Sequence, residues 1–304
     1  MKKRIIITGA TGLIGSTITN KLIDKGDEVI VFSRSPNKAK EKLPGAFNYV
    51  KWHYDSLGDW TNEIDGADVI IHLAGENIMS KRWNEAHKKK VLESRVNGTR
   101  NLVDAIGESE NKPKVFICAS GIDYYDDSIN AEYDEYGKAG SGFLTKVVKS
   151  WEEEAQKVEK HGVRSVSIRT GIVLDKREGA LAKMITPFKF FIGGPLGIGK
   201  QWMPWIHIRD ITDLYIYAAE NNEMTGAYNA TAPNPVRMKE FAEALGRVLN
   251  RPSLFKVPAF VLKIVVGEAA DLVLKGSKVI PKRTLESGYK FKFIHLGEAL
   301  KNIL

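Results

Sequence analysis

The chain has 304 residues, 43% hydrophobic and 27% charged, a balance that fits a globular protein of one large or two modest domains and excludes collagen-like, coiled-coil and disordered chains. A single cysteine, Cys118, excludes an internal disulfide, and the six histidines are scattered with no pair at metal-ligand spacing, so no metal is expected. The net charge of +8 is interleaved with acids, as where Lys149 precedes Glu152, Glu153 and Glu154; this describes a solvated surface suited to anionic small molecules, and no nucleic-acid partner is expected.

The start, Met1-Lys2-Lys3-Arg4, is charged, but the apolar residues behind it stop after three isoleucines at Thr8 and Gly9. That is too short for a signal-peptide core, and a cytoplasmic protein is expected. Arg4 to Ile7 reads as a buried strand, Gly12 to Lys25 as a helix ending at Gly26, Glu28 to Phe32 as a strand and Val69 to Leu73 as another. Val115 to Ala119 continues the series, an amphipathic helix runs from about Phe143 to Lys160, and Val163 to Ile168 adds a further strand. Strands buried on both faces and separated by helices imply a doubly wound parallel sheet, because parallel neighbours need crossover connections. The fold class is therefore α/β and Rossmann-like.

After Gly171 the texture changes. Gly193 to Gly199 is a loop-rich stretch, Arg237 to Leu249 an amphipathic helix, and Val257 to Leu274 another. Lys263, Glu268 and Asp271 interrupt that last segment, so it is no membrane span and no membrane partner is expected. The expected organisation is a dinucleotide-binding domain over 1–174 and a smaller, mainly helical lobe over 175–304 that covers the sheet's carboxyl edge and shares segments of chain with it.

The strongest signal is Thr8-Gly9-Ala10-Thr11-Gly12-Leu13-Ile14-Gly15, a G-x-x-G-x-x-G pattern directly after a strand and directly before a helix. Gly9 can take the tight turn, Gly12 lets backbone N–H groups approach a pyrophosphate, and Gly15 permits close packing of helix on strand. The second strand should end where an acid would grip the ribose hydroxyls of NAD, yet the residues there are Ser33-Arg34-Ser35. A guanidinium and a hydroxyl suit the 2′-phosphate of NADP, so NADP(H) is the expected coenzyme. The fourth strand runs into Leu73-Ala74-Gly75, small residues against which a flat ligand can lie. Lys90 and Arg95, on the next helix, are the cations that should face the cleft.

These residues resemble the extended short-chain dehydrogenase/reductase superfamily, and more closely its atypical branch of uncharacterised "epimerase family" proteins with a distinctive C-terminal extension. The likeness also rests on Arg82-Trp83-Asn84, Trp151-Glu152, Arg169 to Leu174, Gly193 to Gly197 and Gln201 to Ile208, and so spans essentially the whole chain. It implies coenzyme contacts at the glycine loop, Ser33, Arg34, Leu73, Ala74, Lys90, Arg95 and the backbone near Ile172 and Val173. Arg95 stands where many extended members carry Asn, which would place a fixed positive charge near the phosphates.

The superfamily's acid–base device is a Tyr-x-x-x-Lys pair. Here no tyrosine has a lysine four residues later, and the positions implied for the pair hold Leu144 and Val148. Ser120 matches the superfamily's catalytic serine position. Tyr124 and Tyr125, in the loop beyond the fifth strand, could donate a proton, and His207 is a further acid–base candidate. Two functions follow. One is an NADP(H)-dependent oxidoreductase or epimerase acting on a small polar, sugar-nucleotide-like substrate; the other is a non-catalytic NADP(H)-binding sensor. Oligomeric state is not readable from the sequence.

Overall fold

The computed structural model describes residues 2–304. Seven strands, Arg4–Thr8 (β1), Glu28–Ser33 (β2), Asn48–Lys51 (β3), Val69–His72 (β4), Val115–Gly121 (β5), Arg164–Thr170 (β6) and Gly226–Ala230 (β7), form one sheet. Every pairing is parallel, and the order is β7-β6-β5-β4-β1-β2-β3. The doubly wound expectation holds.

Alternation along the strands decides which helix covers which face. In β1, Ile5 and Ile7 join the apolar cluster that Leu13–Asp24 (α1) builds with Ile18 and Leu22, whereas Ile6 points into the opposite one. That second cluster takes Leu102 and Ile106 from Glu85–Glu108 (α3), and Trp151 and Ala155 from Phe143–Gln156 (α4), while Pro36–Lys42 (α2) bridges β2 to β3. Each buried isoleucine or leucine among these contributes roughly 1.5–3 kcal/mol of transfer free energy. The strand order reverses between β1 and β4, so a crevice opens outside their carboxyl ends, where ligands bind in open α/β sheets.

Beyond β6 the chain leaves the sheet and comes back to it. Gly179–Lys189 (α5) belongs to a third cluster, then Ile208–Glu220 (α6) packs beside α1, and β7 pairs with β6. Met238–Leu249 (α7) adds Phe241 and Leu245 to the third cluster, where they meet Phe188 of α5 and Trp205. The remaining helices are Ala259–Val266 (α8), Asp271–Leu274 (α9), Lys282–Glu286 (α10) and Leu296–Ile303 (α11), the last burying Leu300 and Ile303 in that cluster.

Two expected helices differ in extent. The one expected to reach Lys160 is α-helical only to Gln156 and tightens into a 3-10 turn over Lys157–His161. The helix expected over Val257 to Leu274 is broken: Val257 pairs with Leu196 in an isolated bridge, Pro258 caps α8, and Gly267 at φ 66° and ψ −142° leaves the helical region before α9 starts. Among the described residues no helix is long and apolar enough to cross a membrane.

Candidate active site

At the end of β1 the main chain turns at Gly9, whose φ of 68° is left-handed. A β-carbon on Gly9 would lie 2.8 Å from the Leu73 carbonyl carbon, and one on Gly15 only 2.3 Å from Gly9 O. No larger residue fits either place without moving backbone. The turn closes through Gly12 N–H donating to Gly9 O at 3.0 Å, and no side chain caps α1. The first-turn amides of α1 are thus left to meet an anion, with the helix dipole favouring negative charge.

Thr8 fastens this turn to β4. Its hydroxyl accepts from Leu73 N and Ala74 N at 3.2 Å each, which leaves its proton for His72 Nδ1 at 2.6 Å. His72 is therefore the Nε2–H tautomer. Its ring is surrounded by Trp52, Phe116 and Trp151, and burial, with the Arg95 charge behind it, drives its pKa down to about 3. It is a neutral brace.

The other residues expected to meet the coenzyme gather around the same crevice. Leu13, Ile14, Leu73 and Val173 pack on one apolar cluster, and Ile172 is held by its amide to Pro204 O at 2.8 Å. At the end of β2, Ser33 Oγ accepts from Ser35 N at 3.1 Å, and Arg34 is exposed. Lys42 of α2 donates to Thr11 O at 2.8 Å, a second cation beside the glycine turn that sequence reasoning missed; it falls in no motif and arrives only because α2 folds back over the loop. Arg95 is buried, with its guanidinium against Gly75 and bonds to Glu76 O at 3.0 Å and Val91 O at 3.1 Å. Burial lowers its pKa to about 10, so it stays cationic at neutral pH. Lys90 is exposed and pairs with Glu76 at 3.4 Å.

At the other side of the crevice, β5, β6 and β7 end in a buried polar network. Ser120 Oγ donates to Glu152 of α4, and Glu152 is held bidentately by Arg169 Nε and Nη2 at 2.8 Å each. Burial opposes the charge on Arg169, but the Glu152 pair outweighs it and raises the pKa. Arg169 Nη1 donates to the Tyr125 hydroxyl at 2.9 Å, and that hydroxyl donates to Asn229 Oδ1 at 2.9 Å. Burial lifts the Tyr125 pKa to about 12, so its proton is held in place. Asn229 N donates to Glu135 at 3.0 Å, and Glu135 also accepts from the amides of Arg283 at 3.0 Å and Thr284 at 3.3 Å in the C-terminal segment. Tyr124 lies with its ring 3.4 Å from Arg169 Cζ, and among the described residues its hydroxyl has no hydrogen-bond partner.

Leu144 and Val148, at the positions implied for Tyr and Lys, lie on α4, with Val148 buried. His207 sits elsewhere. Its Nδ1 accepts from Arg209 N at 3.0 Å to cap α6, and its ring stacks on Phe293 at 3.9 Å. Burial, then Arg209, lowers its pKa to about 4. Asp210 faces the amides of Lys292 and Phe293, and no hydrogen bond among the described residues joins His207 to Ser120 or the tyrosines. A titratable group that sequence reasoning did not single out is Asp123, one turn beyond β5: burial, and Asp127 after it, raise its pKa to about 6 against the pull of Arg95. A carboxylate just past a strand's carboxyl end was the available signal. Among the described residues no group of three or more His, Cys, Asp or Glu side chains is arranged to hold a metal ion.

Comparison with known proteins places this geometry in context. The profile of the NAD dependent epimerase/dehydratase family matches residues 5–231, and a domain of unknown function, DUF1731, matches residues 257–303. The mouse epimerase family protein SDR39U1 is 39% identical over 305 residues, covering 99% of both chains. The crystal structure of human SDR39U1 (isoform 2) with NADPH superposes with a TM-score of 0.88 at 36% identity, covering 99% of this chain and 98% of that one. A nucleoside-diphosphate sugar epimerase from Corynebacterium glutamicum superposes at 0.79 with 30% identity, over 100% of this chain and 58% of that one.

Proposed function

The chain belongs to the NAD dependent epimerase/dehydratase family, and from that premise we propose that it is an NADP(H)-dependent oxidoreductase or epimerase acting on a small polar, sugar-nucleotide-like carbonyl or alcohol. The observation that carries this reading is the glycine turn whose space a β-carbon would fill, followed by a second strand that ends in Ser33 and Arg34 instead of an acid. The main chain over Gly9 to Gly15 would hold the diphosphate, Arg34 and Ser33 the 2′-phosphate, and Leu73, Ala74 and Gly75 the flat face of the coenzyme. The NADPH in the human relative's crystal structure and the sugar nucleotide in the bacterial relative's description both support the assignment. When bound, the coenzyme supplies or accepts hydride. The chain's own part is to exclude water, to orient the reacting oxygen near Ser120 and Tyr124, and to handle its proton.

Ser120 already donates its proton to Glu152, so toward a substrate it is free to accept, as an alcohol substrate requires. The absence of the Tyr-x-x-x-Lys pair, with Leu144 and Val148 in its place, favours a second reading: a protein that binds NADP(H) as a sensor and performs no turnover.

Calorimetric titration tests the coenzyme assignment that both readings share. NADPH should bind well ahead of NADH, and Arg34→Ala should weaken NADPH about tenfold or more, the value of one or two charge-assisted bonds, while leaving NADH unchanged. Equal losses for both coenzymes would remove the phosphate role from Arg34. Hydrogen exchange at the coenzyme C4 with a panel of nucleotide sugars, aldehydes and ketones marks an enzyme; tight binding with no exchange anywhere marks the sensor.

A further inference from the structure

The proton-transfer group of this cleft must be sought among side chains that remain uncommitted. Ser120 donates to Glu152, and the Tyr125 hydroxyl is fixed between Asn229 and Arg169. Two groups stay uncommitted: Tyr124, whose ring lies on the Arg169 guanidinium and whose hydroxyl has no partner among the described residues, and Asp123, the only carboxylate of the two. Asp123 lies in the turn Ile122–Tyr124 directly after β5, and its backbone carbonyl is anchored by Thr145 Oγ1 of α4 at 2.7 Å. Its carboxylate is held only by its own backbone N–H: among the described residues no side chain donates to either oxygen and no cation forms an ion pair with it. A β-carbon placed on Gly121 would lie 3.3 Å from Asp123 Oδ2 and 3.6 Å from Val148 Cγ2. The carboxylate therefore sits over the end of β5, at a spot that Val148, the residue at the position implied for the superfamily's lysine, also approaches.

The geometry points to Asp123 as the acid–base group of this site, taking the place of the missing Tyr-x-x-x-Lys pair and facing the nicotinamide end of the coenzyme. As a substrate carbonyl carbon takes up a hydride from the reduced coenzyme, the Asp123 O–H bond breaks and its proton goes to the carbonyl oxygen. An alcohol, a carboxylate and oxidised coenzyme remain, and water returns the proton to Asp123. The reverse reaction removes the alcohol proton onto the carboxylate. A group titrating near pH 6 is suited to both directions. The charged groups that face it are Arg95 from α3 and Asp127 from its own loop, while α4 presents the uncharged Thr145 and Val148.

The assignment rests on the coenzyme-binding reading of the cleft, and its test needs no substrate. The nicotinamide ring carries a positive charge in NADP⁺ and none in NADPH, whereas the phosphates, including the titrating 2′-phosphate, are common to both and cancel in a ratio. A carboxylate beside the ring must therefore favour NADP⁺ once it ionises, and by linkage the preference depends on pH. Calorimetric titration of both coenzymes between pH 5.5 and pH 8 should show the affinity ratio moving toward NADP⁺ by about fivefold or more as pH rises. Asp123→Asn, which keeps the shape, should flatten that dependence, and Asp123→Glu should retain it. A flat ratio in the wild-type protein, or the same slope in Asp123→Asn, overturns the assignment while leaving coenzyme binding intact. Failure of both coenzymes to bind overturns the coenzyme reading itself, and this assignment with it.

Discussion

At the glycine-turn end of the crevice the groups on offer are main-chain amides, held by a turn after β1 that accepts no β-carbon at Gly9 or Gly15 and is tied to β4 through Thr8. At the other end, beside β5 and α4, they are side chains: Ser120, Glu152, Arg169, Tyr125 and Asn229 in one network, with Asp123 beside it. The backbone cradle can be varied very little without losing its shape. The side-chain end can exchange one acid–base device for another while the sheet beneath it stays the same. This difference explains how a chain can keep a coenzyme site and lose the tyrosine and lysine usually placed next to it.

If the two ends are independent, damage at one should spare the other. The largest effect is expected from Arg169→Met, which leaves Glu152 buried without its cation and Tyr125 without a donor. Urea unfolding should show a loss of about 3–5 kcal/mol, with NADPH affinity of the folded protein unchanged. A matching fall in NADPH affinity would show that the two ends act together. Gly15→Ala acts at the other end: forcing a β-carbon to within 2.3 Å of Gly9 O should cost about 1–3 kcal/mol of stability and, unlike Arg169→Met, should weaken NADPH at least tenfold. Retained affinity would mean that the turn does not hold the diphosphate.

The smallest effect concerns the brace beneath the turn. Burial, with the Arg95 charge behind it, pushes native His72 down to about 3 from the ordinary imidazole value near 6.5, so between those values the unfolded chain binds the extra proton. The stability this gives is complete above about pH 6.5 and is lost as pH falls toward 3. His72→Asn should remove about one proton from the slope of stability against pH in that window, roughly 1.4 kcal/mol per pH unit, and leave the slope above pH 7 alone. Identical slopes in the two proteins would place His72 in contact with water.

The same division governs what could be read from the sequence. β-Branched runs such as Ile5-Ile6-Ile7 and the three glycines are local signals, and the parallel sheet and the tight turn after β1 followed from them. The broken helix after Val257 was hidden because its apolar spacing continues across Gly267, and only the bridge to Leu196 and the backbone at that glycine end it. Lys42, Glu135 and Asn229 carry no motif; each acquires its role from a partner far away in sequence, as Glu135 does from Thr284. Asp123 was visible as a residue, but its raised pKa depends on burial and on charges that only the folded chain brings near.

Glu135 receives amide protons from Asn229 within the sheet and from Arg283 and Thr284 far along the chain. That carboxylate works as a clasp between the edge strand β7 and residues 283–284. During synthesis the side-chain end of the crevice stays unfinished until that clasp can shut, because Arg283 and Thr284 are the last of its partners to be made.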